Sequence, residues 1–84
     1  MQIVKDRPKS NVRKTTYRIL EELPVDKPFG SEELRDRVIE QIFRETGERR
    51  YPHHDTVLRY LREKRHDLGI VCLSREESLY IRRM

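Results

Sequence analysis

The sequence predicts one α+β domain, mainly helical, with three helices followed by a C-terminal two-stranded β-hairpin. Three observations predict it. Apolar residues recur at helical spacing in three separate stretches before Gly69. Beyond Gly69 the apolar period falls from 3.6 to 2. Gly30, Gly47 and Gly69 each stand at a boundary between these stretches. Charged residues are 40% of the chain and hydrophobic residues 35%, a composition towards the disordered end. The periodicity outweighs it and argues for a folded chain. A domain of 84 residues buries only roughly 60% of its unfolded surface, so the core is thin and leaves no room for an enclosed substrate cavity.

Residues 1–9 hold Lys5, Arg7, Pro8 and Lys9 with little pattern, and read as a flexible basic arm ahead of a domain over residues 10–84. The first helix is expected to start with Ser10 or Asn11 as its N-cap. Val12, Thr16, Ile19, Leu20 and Leu23 form its core stripe, and Pro24 ends it. The connection PVDKPFG has Phe29 as a core anchor, with room for a very short strand. Ser31 is expected to cap the second helix, where Glu32 and Glu33 suit the positive end of the helix dipole. Its apolar face is Leu34, Val38, Ile39, Ile42 and Phe43, and Gly47 supplies the left-handed stop.

The third helix, over about residues 52–67, has two incompatible faces. Val57, Leu61, Lys64 and Leu68 share one side, flanked by Leu58 and Tyr60. Pro52, Asp55, Thr56, Arg59, Arg62, Glu63 and His66 gather on the other, and Pro52 suits the first turn. In the hairpin, Val71, Leu73, Leu79 and Ile81 alternate with Ile70, Cys72 and Tyr80 around the loop SREES, whose turn type is not readable without a glycine. Cys72, inside an apolar strand, is expected to be buried. As a lone cysteine it excludes an internal disulfide and fits a reducing compartment.

Net charge is +4, distributed as +5 over residues 1–20, −5 over 21–48 and +4 over 49–84. A basic start and a basic second half around an acidic middle suggest one electropositive side.

Helix, short extended stretch, helix, turn, helix, hairpin: this order resembles the winged helix-turn-helix superfamily. The resemblance spans about residues 10–83. It rests on FGSEEL at the second helix, DTVLRYLRE on the third, and LGIVCL leading into a hairpin that ends LYIRR. It implies that the third helix enters the DNA major groove while the hairpin, the wing, lies along the backbone or minor groove. Thr56 and Arg59 would then face base edges, flanked by His53, His54, Tyr60 and Arg62. Arg75 would sit on the wing, and Arg49 and Arg50 on phosphates. The expected partner is duplex DNA, with a protein partner as the second reading because such folds also serve as docking modules. A homodimer would have to use the arm, the first helix or the second helix.

Other chemistry finds little support. His53, His54, Asp55, His66 and Cys72 lack metal-site spacing, so no metal or other cofactor is expected. Cys72 has no accompanying base or phosphate loop, and no set of residues suggests catalysis. The tyrosines are too scattered for a stacking platform. No apolar run is long enough for a membrane span or signal peptide, and a cytoplasmic location is expected.

Overall fold

The computed structural model describes residues 12–84, so the expected N-cap at Ser10 or Asn11 and the basic arm lie outside the described residues. In chain order the elements are α1 (Val12–Glu22), β1 (Pro28–Gly30), α2 (Ser31–Thr46), α3 (His54–Leu68), β2 (Ile70–Ser74) and β3 (Leu79–Arg82). Three helices and a small antiparallel sheet make an α+β fold dominated by helix, an arrangement compatible with a winged helix.

Each helix buries its apolar stripe in a shared core of Leu20, Leu23, Phe29, Leu34, Val38, Ile42, Val57, Leu61 and Ile70. Thr16 belongs to that stripe and is fully buried, which a hydroxyl tolerates only with a partner. It donates to the Val12 carbonyl at 2.7 Å, one turn back along α1. Gly47 takes the left-handed conformation at φ 78° after α2, and its N–H reaches the Phe43 carbonyl.

The sheet has three strands in the order β1-β3-β2 rather than the two of a hairpin. The short stretch around Phe29 pairs antiparallel with β3 and adds the third strand. Phe29, Tyr80 and Cys72 lie in one row across the sheet, and Phe29 stacks on Tyr80 with ring centroids 6.0 Å apart. Burial declines along this row. Phe29 on β1 is buried, Tyr80 on the central strand half-buried and Cys72 on β2 exposed; Ile70 at the start of β2 is still buried, so the cover fades along β2 towards the hairpin loop. The expectation of a buried Cys72 is therefore corrected. Val71 and Leu73 are 44% and 46% exposed despite being apolar, and of their face only Ile81, on the central strand, is buried.

Two further expectations change. Ser31 is the first residue of α2 rather than its cap; Gly30 occupies the cap position and has no side chain to bond there. Pro52 precedes α3 rather than standing in its first turn. His53 is the N-cap, its Nδ1 accepting the Asp55 backbone N–H at 3.2 Å.

Candidate functional site

The site is built around α3, which Val57 and Leu61 fix to the core. Arg59, Arg62, Arg65 and His66 project into solvent and Thr56 is half-buried. Contacts with α1 set the rotation of this helix. The Tyr17 hydroxyl donates to Glu63 Oε1, Arg13 Nε donates to the Tyr17 hydroxyl at 3.0 Å, and Arg13 lies 3.5 Å from Glu63. Lys64 pairs with Glu21 at 3.3 Å, and the Tyr17 and Tyr60 rings meet edge to face at 6.3 Å. The hydrogen bond to Tyr17, then the charges of Tyr17 and Glu63, hold the Arg13 guanidinium above its ordinary pKa. Exposed pairs of this kind, screened by solvent, contribute little to stability. Their larger effect is electrostatic, since they offset the charge of Glu63 beside the exposed arginines.

A buried polar link joins the start of α3 to the rest. Ser31 Oγ, 1% exposed, donates to Ser78 Oγ at 2.6 Å and lies 2.8 Å from His54 Nε2. The Ser31 hydroxyl thus bridges Ser78 and the His54 imidazole. The Ser31–His54 distance would suit a nucleophile and its base, but a serine sealed from solvent meets no substrate. The cluster is a structural tie between α2, α3 and the hairpin turn. Arg35 Nε donates to the Pro52 carbonyl at 2.8 Å and pins the turn before α3.

The sequence-selected residues separate into groups. Arg62 and Arg75 come together, from α3 and the hairpin loop, along a cleft of about 410 Å³ that is also lined by Arg65, Leu61, Cys72 and Tyr80. Glu76 and Glu77 share the loop with Arg75 but do not line it. Arg59 stands one turn earlier on α3, its guanidinium 5.2 Å from the Tyr60 ring centroid. Arg49 lies elsewhere, stacked at 4.3 Å over Phe43 in a groove of about 450 Å³ along α2 that also includes Ile39 and Tyr51. Arg50 is 3.8 Å from Glu48. His54 and Tyr60 are engaged in the internal contacts described above, while His53 caps α3. Arg65 escaped sequence reasoning, although its position three residues after Arg62 was the available signal.

Charge pairing divides the surface. Arg13, Arg18, Arg37, Arg44, Arg50 and Lys64 each have a carboxylate within 4.0 Å. Among the described residues, Arg49, Arg59, Arg62, Arg65 and Arg75 have none.

Also among the described residues, no group of three or more His, Cys, Asp or Glu side chains could hold a metal ion. No helix there is long and apolar enough to cross a membrane. Neither protein-family models, nor curated proteins, nor solved structures yield a match to this chain.

Proposed function

We propose that the chain is a duplex-DNA-binding module of the winged helix-turn-helix type, serving as a small transcriptional regulator. In this reading α3 enters the major groove and the β2–β3 hairpin lies along the backbone. One observation carries it: the arginines of α1 and α2 are neutralised by carboxylates or bonded to a backbone carbonyl, whereas those of α3 and the hairpin loop have no carboxylate among the described residues. An uncompensated row of guanidinium groups on one helix is what a polyanion recruits. Arg59 suits guanine, whose O6 and N7 accept both arms of the fork, and Thr56 stands one turn before it. Arg49 and Arg50 fall in the turn that leads into α3 and suit phosphates.

The test is binding of the purified chain to a pool of random duplexes at low salt, followed by selection of preferred sites. Arg59→Ala should cost ~1–3 kcal/mol on a preferred site and relax the choice at one base position. Arg50→Ala should weaken all duplexes alike. Absence of binding to every duplex pool at low salt, where attraction is strongest, would end the DNA reading.

A second reading has its own observation. Phe43 and Tyr51 are 38% and 65% exposed along the groove on α2. Partly apolar concave surfaces of this kind take protein segments. If α2 is the functional face, Phe43→Ser and Tyr51→Ser abolish capture of a protein partner, and Arg59→Ala leaves that capture intact.

A further inference from the structure

We infer that the cleft between α3 and the hairpin loop is a single oxyanion site, in which Arg62, Arg65 and Arg75 close together on one phosphoryl group. Three features carry the inference. Two elements, α3 and the loop that follows β2, contribute the three guanidinium groups, which meet because the hairpin folds back towards α3. None has a carboxylate partner among the described residues, and the acidic side chains of the same loop, Glu76 and Glu77, do not line the cleft. The remaining wall, Leu61, Tyr80 and Cys72, carries no charge. Three like charges converging on one cleft repel one another, and this repulsion is relieved by an anion bound between them. A guanidinium fork bonds two oxygens at once, and a phosphoryl group offers enough oxygens for several forks.

The occupant of this site is a backbone phosphodiester of the bound duplex, an identification that rests on the DNA-binding reading above. The cleft then does something that neither element does alone. A phosphate held by Arg62 and Arg65 from α3 and by Arg75 from the loop fixes the angle between recognition helix and hairpin on the DNA. Arg65, which lines the cleft beside Arg62, becomes a backbone anchor.

Inorganic phosphate is the first probe, added to the full chain while the Nε–Hε resonances of the arginines are followed by NMR. The three cleft arginines should shift together along one saturation curve, with Arg37 and Arg44, each paired with a glutamate on α2, unmoved. Equal shifts at all exposed arginines, or none in the cleft, would overturn the site. Arg62→Lys should keep the charge, lose the fork and weaken the curve.

The duplex arm uses the triple variant Arg62→Gln, Arg65→Gln, Arg75→Gln, whose exposed substitutions leave the core untouched. One shared phosphate predicts that the slope of log K against log salt flattens by about 0.9, whereas three independent contacts would remove about 2.7. If the duplex binds and the triple variant keeps the parent slope, the cleft proposal is wrong and the DNA reading stands. If phosphate saturates the cleft and no duplex binds, the oxyanion site stands, its source is a free phosphate compound, and the DNA reading fails.

Discussion

Ser78 carries more of the architecture than its place in a hairpin loop suggests. Its φ of 52° lies in the left-handed region, which costs a residue with a Cβ about 1–2 kcal/mol. Two contacts with α2 offset that cost: its carbonyl accepts the Ser31 N–H at 3.0 Å and its hydroxyl accepts from Ser31 Oγ at 2.6 Å. Ser78→Ala keeps the strain and leaves a buried hydroxyl without its acceptor, so it should destabilise by about 1–3 kcal/mol. Ser78→Gly loses the same bond but relieves the strain, and should cost less. Urea unfolding of both variants checks the order; a more stable alanine variant would contradict it. Arg82 has a comparable role at the other end of the hairpin. Its Nη1 reaches the carbonyls of Glu21 at 2.7 Å and Leu23 at 3.0 Å, closing the C-terminal end of α1. Hydrogen bonds from a charged group are worth ~1.5–3 kcal/mol, so Arg82→Met should lower stability by about that amount without touching the exposed face of α3. The measurement is the denaturation midpoint, which should fall while the affinity of folded protein for its ligand does not.

Among the elements, α3 makes the strongest demand on the core. Val57 and Leu61 are its buried residues, and in so thin a core neither can be spared. Leu61→Ala should cost ~2–5 kcal/mol, a large part of the stability of a domain this size, and Arg59→Ala should cost almost none. Equal thermal midpoints for Leu61→Ala and the parent would mean that α3 is held by something other than its apolar stripe. That stripe was legible in the sequence, as were those of α1 and α2, because burial of one helix face imposes a period that survives any surrounding composition. The sheet was less legible. Alternation reveals that two faces exist, but not which one meets the helices or how far the cover extends. Cys72 shows the difference: its row leads inward through Tyr80 to Phe29, and Ile70 two residues earlier is buried, yet Cys72 itself lies beyond the cover. The short strand around Phe29 had room in the sequence, but its place in the sheet was not legible, since three residues are too few for a period and join the sheet only through their pairing with β3. The candidate site was legible as a polar helix face with arginines. Its grouping was not, because the meeting of Arg62 and Arg65 with Arg75 depends on where the hairpin loop folds back.

For the molecule as a whole, the net charge of +4 says less than its arrangement. Carboxylates of the acidic middle segment pair with α1, with α2 and with the turn after α2, as in Arg18–Glu45 at 3.2 Å and Arg37–Glu33 at 3.0 Å, and on α3 they reach Lys64 alone among the described residues. Glu63, one of the acids on the exposed side of α3, is drawn to Arg13 and Tyr17. Among the described residues, the largest grouping of arginines without a carboxylate is the edge formed by α3 and the hairpin loop, and a function for that edge is the central claim. The direct measurement is the affinity of the intact chain for random duplex DNA over a range of salt concentrations. Contacts to several phosphates, from the cleft and from the turn before α3, predict a linear fall of log K with log salt, steepening by ~0.9 for each phosphate neutralised. An affinity that does not change with salt, or no binding at the lowest salt, would contradict it.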